Sequence, residues 1–238
     1  MTMPKTRHLI AAMCLSLPLL GSADGLVVDR IYHPYVEPLE QELEWRVVWQ
    51  DEQTGRDDRE QLQRLAFGRA FGERWFGEMY LVGAGSARQS LAVEAVELEA
   101  IRQLTEQGEY WADLGLLLEL EKEFGTDIWE AGAGLLVEKE MGTWSLATNL
   151  IIAQEWGDDI DDELESRLAL QARYRYARHF EPALEFHSGE DTRALGPAMM
   201  GDIRLGIRRN LHWELGLLFG VDGDSPDHTV RAGVEYSF

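Results

Sequence analysis

The sequence predicts an all-β fold, namely a single antiparallel up-and-down transmembrane β-barrel of about 12 strands. Three observations carry this prediction. From about residue 40 onward, apolar side chains recur at every second position in segments long enough to cross a membrane as strands. The connections between these segments alternate between long and short, and aromatic residues gather near the segment ends.

The N-terminal residues have the organisation of a signal peptide. Lys5, Arg7 and His8 form a positive region, an apolar run covers 9–20, and small residues at 21–23 provide a cleavage site before Asp24. The apolar run is too short to span a bilayer as a helix. We therefore expect residues 1–23 to be removed, residues 24–40 to form an N-terminal periplasmic segment, and residues 41–238 to form the barrel.

Composition excludes several classes of function. The chain has 22 Lys and Arg residues against 43 Asp and Glu residues, a formal net charge of -21. Nucleic-acid binding needs a cationic surface, so no nucleic-acid partner is expected. The single cysteine, Cys14, lies in the signal peptide, so the mature chain has no disulfide, thiolate metal site or cysteine nucleophile.

The C-terminal segment shows the alternation most clearly, because Val230, Val234 and Tyr236 share one face while Arg231 and Glu235 share the other. A helix competes with a strand for 91–103 and 160–173, which are rich in Ala, Glu and Leu. In the second segment, Tyr174 and Tyr176 and the strict alternation around them favour a strand. The predicted strands lie near 41–50, 60–70, 74–83, 91–103, 109–121, 128–140, 143–155, 163–176, 179–188, 195–208, 211–221 and 229–238.

The connections predict the orientation of the barrel. Those after even-numbered strands are short, and those after odd-numbered strands are long, as in barrels with short periplasmic turns and long outer loops. An even number of strands places both chain ends on the periplasmic side. The long connections are 51–59, 84–90, 122–127, 156–162, 189–194 and 222–228, and the short ones are 71–73, 104–108, 141–142, 177–178 and 209–210.

Several local sequences resemble known outer-membrane proteins. The alternating C-terminal segment ending in Phe238 resembles the signature that the barrel-assembly machinery recognises. The stretches LTEQGEYWADLGLLLE at 104–119, YHPYVE at 32–37 and ELGLLFG at 214–220 resemble a group of uncharacterised proteobacterial outer-membrane proteins. The resemblance implies a fold and a location in the outer membrane of a Gram-negative bacterium, in contact with lipid and lipopolysaccharide. It implies no activity.

The two faces of the predicted strands have different chemistry. Leu116, Leu118, Leu170, Leu217 and Val234 are expected to face lipid. The opposite face would line the lumen, with acidic residues on the fourth to seventh strands and arginines on the eighth and tenth. The predicted lumen-lining residues are Glu97, Glu99, Asp113, Glu119, Glu138, Glu140, Arg167, Arg173, Arg175, Arg204, Glu214 and Arg231.

These charges support two interpretations. The opposed walls could select small polar or charged solutes in a narrow passive channel, whose solute the sequence does not identify. Alternatively, the acidic and basic walls could form ion pairs that fill the lumen. The barrel would then have a structural or assembly-partner role without transport. Strand number does not decide between the two, because a barrel of about twelve strands is intermediate between small filled barrels and large open ones. The channel is the primary prediction.

The sequence predicts no catalytic residue, no metal ligand and no cofactor. An outer-membrane lipid-modifying enzyme is a third alternative, but His187 and Ser188 are adjacent and would point to opposite faces of a strand. No G-x-S-x-G motif occurs. The acidic loops around 155–163 and 222–227 suit solvation better than calcium, because a complete calcium-binding loop pattern is missing.

Overall fold

A computed structural model describes residues 27–51, 59–86, 90–158 and 160–238. These residues form one closed barrel in which every neighbouring pair of strands is antiparallel and the first strand pairs with the last. The predicted fold is therefore confirmed. The strands are β1 (Gln41–Asp51), β2 (Arg59–Phe71), β3 (Trp75–Ser86), β4 (Ala92–Gln103), β5 (Asp113–Glu123), β6 (Trp129–Met141), β7 (Trp144–Trp156), β8 (Glu163–Tyr174), β9 (Glu181–Ser188), β10 (Arg193–Arg204), β11 (Asn210–Gly220) and β12 (His228–Ser237).

The seam between β1 and β12 closes the barrel at what we call the terminal end, where β1 begins and β12 ends. Gln41 and Phe238 exchange backbone hydrogen bonds of 3.3 and 2.8 Å there. The other end, which carries the connections after odd-numbered strands, is called the opposite end. Closure satisfies the backbone donors and acceptors that an open sheet edge would leave exposed to lipid.

Both segments for which a helix competed are strands, β4 and β8. The main difference from the predicted boundaries lies before β5, which begins at Asp113 and not at residue 109. Gly108 adopts a φ of 73°, and its backbone N–H donates to the Asp113 carboxylate at 2.7 Å. This local turn holds Tyr110 and Trp111 in the connection.

The alternation of connection lengths is weaker than predicted. The connection 104–112, at the terminal end, is longer than the connection 189–192 at the opposite end. β8 also ends two residues earlier than expected, at Tyr174, and β10 ends at Arg204 where 208 was expected. Loop length alone therefore does not determine the orientation of the barrel in the membrane.

The outer face of the barrel is apolar. Leu217 and Val234 are each 40% exposed, Leu118 and Leu170 are exposed to a similar extent, and Leu116 is half-buried. Exposed apolar side chains on every strand form a surface that suits lipid, since a monomeric protein in water rarely exposes so large an apolar patch. In the described ranges, no helix is long and apolar enough to cross a membrane.

Residues 27–36, called the inner segment from here on, lie inside the ring of strands, and residues 37–39 are exposed just before β1 begins. Val28 is buried against Ala194 and Leu218, near the opposite end, and Val36 is buried near the terminal end. The sequence predicted a periplasmic segment at 24–40, but residues 27–36 of it run through the lumen. Charged and hydrogen-bonding side chains of the segment have complementary partners on the inner face of the barrel, which favours this position.

Gly115 allows the inner segment to approach the wall. A Cβ atom at this position would lie 2.9 Å from Pro34 Cα, closer than real Cβ contacts allow. Any larger residue at 115 would push the segment away from β5. The absence of a side chain is thus a packing requirement at this position.

Candidate functional site in the barrel interior

The predicted lumen-lining residues fall on the inner face of the barrel, with one exception. Arg204 is exposed at the end of β10. Glu99, Asp113, Glu138 and Arg231 are buried, so the inner face holds charged groups away from bulk water. Their positions follow from the period of two, since neighbouring strands pair in a register that aligns polar positions.

Arg30 anchors the middle of the inner segment to one side of the wall. Its guanidinium lies 2.7 Å from a carboxylate oxygen of Glu44 and 2.7 Å from one of Glu78. Next to it, Asp29 lies 2.9 Å from Arg46 and 3.0 Å from Arg64. The segment therefore inserts one cation among wall carboxylates and one carboxylate between wall arginines.

Tyr32 joins the segment to two further strands. Its hydroxyl donates to Glu99 at 2.6 Å on β4. Its backbone N–H donates to the Asn149 amide oxygen at 2.7 Å on β7, and the Asn149 amide donates back to the Tyr32 carbonyl at 2.9 Å. Asn149 is 1% exposed, so this reciprocal pair lies in a buried place, where loss of either partner is costly.

The end of the segment contacts β5 and β6. His33 Nδ1 lies 2.7 Å from Glu138 Oε2, and the Tyr35 hydroxyl donates to Asp113 at 2.9 Å. Both acids were predicted to line the lumen. The structure thus brings together the acidic wall and a segment that sequence reasoning had placed outside the barrel.

Cross-strand pairing places carboxylates directly opposite each other in two rows. The first carboxylate row consists of Glu78, Glu99 and Glu119 on β3, β4 and β5. The second carboxylate row crosses β4 to β8 and consists of Glu97, Glu121, Glu130, Glu155 and Glu163. Like charges directly opposite each other destabilise a sheet unless cations or protons compensate.

Arginines compensate part of this charge. Arg64 Nε lies 3.1 Å from Glu97, and Arg167 Nη2 lies 3.2 Å from Glu119 and 2.8 Å from Glu130. Toward the terminal end, Arg173 lies 3.4 Å from Glu138. The arginines of the predicted basic wall that lie on β8 therefore reach the acidic wall, whereas Arg204 on β10 is exposed.

A separate ion-pair cluster joins the strands on the other side of the barrel. Arg231 on β12 lies 2.6 Å from Glu185 on β9 and 2.7 Å from Glu214 on β11. Arg231 is 2% and Glu185 0% exposed. Sequence reasoning included Arg231 and Glu214 but missed Glu185, which occupies an alternating polar position of β9 and could have been found by that signal.

Two cavities lie in the interior of the barrel. The larger, of about 430 Å³, is at the opposite end, and its lining includes Arg64, Arg167 and four members of the second carboxylate row, Glu97, Glu121, Glu130 and Glu155. The smaller, of about 190 Å³, is at the terminal end and includes Arg30, Glu40, Glu42, His212 and Glu235 in its lining. Carboxylates therefore dominate the charge of both cavities.

The loop between β11 and β12 is tied down at the opposite end. The Ser225 hydroxyl donates to Asp222, and this hydrogen bond holds the pKa of the Asp222 carboxyl below its usual value. Arg193 Nη1 lies 3.2 Å from the same carboxylate. These contacts fix the loop beside the mouth of the barrel.

Solved structures with similar architecture are outer-membrane proteins. An outer membrane channel from Pseudomonas putida F1 is 13% identical, with a TM-score of 0.58, over 88% of this chain and 98% of that chain. The KdgM porin is 14% identical, with a TM-score of 0.54, over 83% of this chain and 99% of that chain. The chain has the fold of an outer-membrane β-barrel.

The translocator domain of the autotransporter NalP from Neisseria meningitidis has a TM-score of 0.51 at 14% identity, over 85% of this chain and 89% of that chain. No protein-family model matches the sequence, and no curated protein matches it either. The similarity therefore lies in the fold, which proteins of different function share.

Proposed function

We propose that this protein is a narrow passive channel for small polar or charged solutes in the outer membrane of a Gram-negative bacterium. The observation that carries the proposal is a polar interior with a carboxylate-lined cavity toward each end of the barrel. The porin and the channel among the similar folds support the same function. The sequence resemblance supports a place among the uncharacterised proteobacterial outer-membrane proteins.

The charge of the two cavities sets the expected selectivity. Carboxylates outnumber guanidinium groups in the linings of both, so each cavity carries a negative potential. Rings of carboxylates in a pore favour cations. We therefore expect permeating solutes to be cationic or neutral.

The inner segment forms the constriction of the proposed channel. Arg30 and Tyr32 line the smaller cavity and contact the wall at β1, β3, β4 and β7. Any permeating solute must pass beside these side chains. A low single-channel conductance follows from this arrangement.

The second candidate function is a structural or assembly-partner barrel without transport. The buried contacts of the inner segment favour it, because Arg30, Asp29 and Tyr32 all find partners on the wall. Groups that are paired with the wall in this way are not available to bind a passing solute. Catalysis has less support, since His187 is buried on β9 beside Glu185 while Ser188 occupies the alternate face.

Single-channel recordings in planar bilayers separate these functions. The full-length mature protein is compared with a variant lacking residues 27–36 and with the point variant Arg193→Ala at the loop end as a matched control. A mobility shift between heated and unheated samples on gels verifies that each variant has folded. The channel proposal predicts small cation-selective conductance for the full-length protein and the control, and a larger conductance for the deletion variant.

A silent full-length protein with a conducting deletion variant would show that the segment seals the barrel, which supports the structural function. Silence of both folded proteins would overturn the channel.

The proposed location and partners have their own tests. Fractionation on a sucrose gradient checks for lipopolysaccharide-containing membranes, and loss of assembly on removal of Phe238 checks recognition by the barrel-assembly machinery.

A further inference from the structure

We propose that Arg69, Phe71, Trp75 and Arg102 bind the headgroup of an anionic glycerophospholipid on the outer face of the barrel, at its terminal end. These four residues, called the arginine–aromatic patch, lie on β2, β3 and β4. The site requires that the barrel lies in a lipid bilayer, and it is independent of conduction.

Strand register assembles the patch. Arg69 and Phe71 are two residues apart on β2 and therefore share its outer face. Phe71 pairs with Trp75 on β3, and Trp75 pairs with Arg102 on β4. Gly77 lets the Phe71 ring lie against β3, since a Cβ at this glycine would be 3.1 Å from that ring. Two aromatic rings thus lie between two arginines on neighbouring strands.

The rings hold both guanidinium groups at the edge of the apolar band. The guanidinium carbon of Arg69 lies 5.1 Å from the centre of the Phe71 ring, and that of Arg102 lies 5.2 Å from the Trp75 ring. Ring faces attract cations at such distances. Because aromatic residues at strand ends lie at the level of lipid headgroups, the two cations are placed at the depth of the phosphates.

The two arginines have no carboxylate partner in the protein. Arg69 and Arg102 are exposed, and neither forms an ion pair with any of the described residues. In the adjoining turn, Arg74 pairs with Glu106 at 2.7 Å, whereas Glu73 pairs with neither arginine of the patch. The chain has 43 acidic and 22 basic residues, so carboxylates are plentiful. Their absence beside these arginines favours an external anion.

Lys122 shows that the same stacking can occur with internal partners. It lies on the outer face near the opposite end, with its ammonium 5.0 Å from the centre of the Trp129 ring. This ammonium also lies 3.6 Å from Asp127 and donates to the Thr126 carbonyl at 2.8 Å. Stacking of a cation on an outward ring therefore does not by itself leave the charge without a protein anion.

The surroundings of the patch select a phospholipid over a free phosphate. Guanidinium groups bind phosphate oxygens through paired hydrogen bonds. On the same three strands, next to the patch and toward the middle of the barrel, Phe67, Met79 and Leu98 pair in one row, and all three are exposed. This apolar row offers a surface for acyl chains below a bound headgroup. The sequence predicts that the terminal end faces the periplasm, where the leaflet consists of phospholipid.

Native mass spectrometry of the folded mature protein, titrated in detergent with phosphatidylglycerol or phosphatidylcholine of the same acyl chains, tests this site. The wild type should bind phosphatidylglycerol more tightly than phosphatidylcholine. Arg69→Gln and Arg102→Gln should each weaken phosphatidylglycerol binding by about fivefold, because each removes one cation from the lipid surface. Lys122→Gln is the matched control, and it should leave the affinity unchanged because Lys122 already has partners in the protein.

Urea unfolding in vesicles provides a second readout that does not depend on detergent. Adding phosphatidylglycerol to phosphatidylcholine vesicles should stabilise the wild type more than the double variant Arg69→Gln/Arg102→Gln, and high salt should reduce this difference. Equal affinity of the wild type for the two lipids, or equal phosphatidylglycerol binding by the wild type and the folded double variant, would overturn the proposal. Tighter binding of lipid A than of phosphatidylglycerol at the same arginines would overturn the assignment to a glycerophospholipid.

Discussion

Replacing Arg231 with methionine should test whether ion pairs hold the far side of the barrel together. The guanidinium joins β12 to β9 and β11 through Glu185 and Glu214, at 2.6 and 2.7 Å. The substitution keeps an unbranched apolar stem and removes the guanidinium, with its charge and its hydrogen bonds to Glu185. It leaves a carboxylate that is 0% exposed, Glu185, without its main cation.

The expected loss follows from the burial of both partners. Removing one member of a buried ion pair costs about 3–5 kcal/mol, because the remaining charge stays in a medium of low dielectric constant. The free energy of unfolding should therefore fall by about this amount. Adding Glu185→Gln and Glu214→Gln to Arg231→Met should restore most of the loss, since no uncompensated charge would remain.

Urea unfolding in phospholipid vesicles, followed by tryptophan fluorescence, measures these differences. The matched control is Arg193→Met, which breaks the ion pair with Asp222 at the barrel mouth. The Arg193 side chain is 48% exposed, so this loss should be only about 0–1 kcal/mol. Equal losses for the two variants, or no rescue by the triple substitution, would refute the assignment of a buried, poorly hydrated cluster.

Two further perturbations follow from the outer and inner faces. Leu217→Arg puts a charge on the outer face of the barrel. If the residue lies near the bilayer midplane, this change should lower the free energy of unfolding in vesicles by about 2–4 kcal/mol. An unchanged free energy of unfolding in the same urea titration would argue against lipid contact. Arg173→Glu should shift the reversal potential of the channel toward cations, because the half-buried Arg173 lies in the lumen beside Glu138. Arg204→Glu should shift the reversal potential less than Arg173→Glu does, because Arg204 is exposed. A larger shift for Arg204→Glu than for Arg173→Glu would contradict the proposed position of the constriction.

The strands and their two faces could be predicted from local sequence patterns alone. Alternation with a period of two is a property of each segment alone, so residues such as Leu217 and Arg231 could be assigned to opposite faces without knowledge of their neighbours. The same property favoured a strand over a helix at 160–173. The boundary at β5 was missed because the turn around Gly108 interrupts an apparently continuous alternating stretch.

The contents of the barrel interior depend on contacts that no local pattern predicts. The inner segment has no periodic pattern, so nothing local shows that Arg30 reaches Glu44 and Glu78 on two different strands. The carboxylate rows likewise depend on register, since Glu99 meets Glu119 only after β4 and β5 have paired. Register and lumen packing come from contacts between residues far apart in the chain, and these contacts form only when the barrel closes.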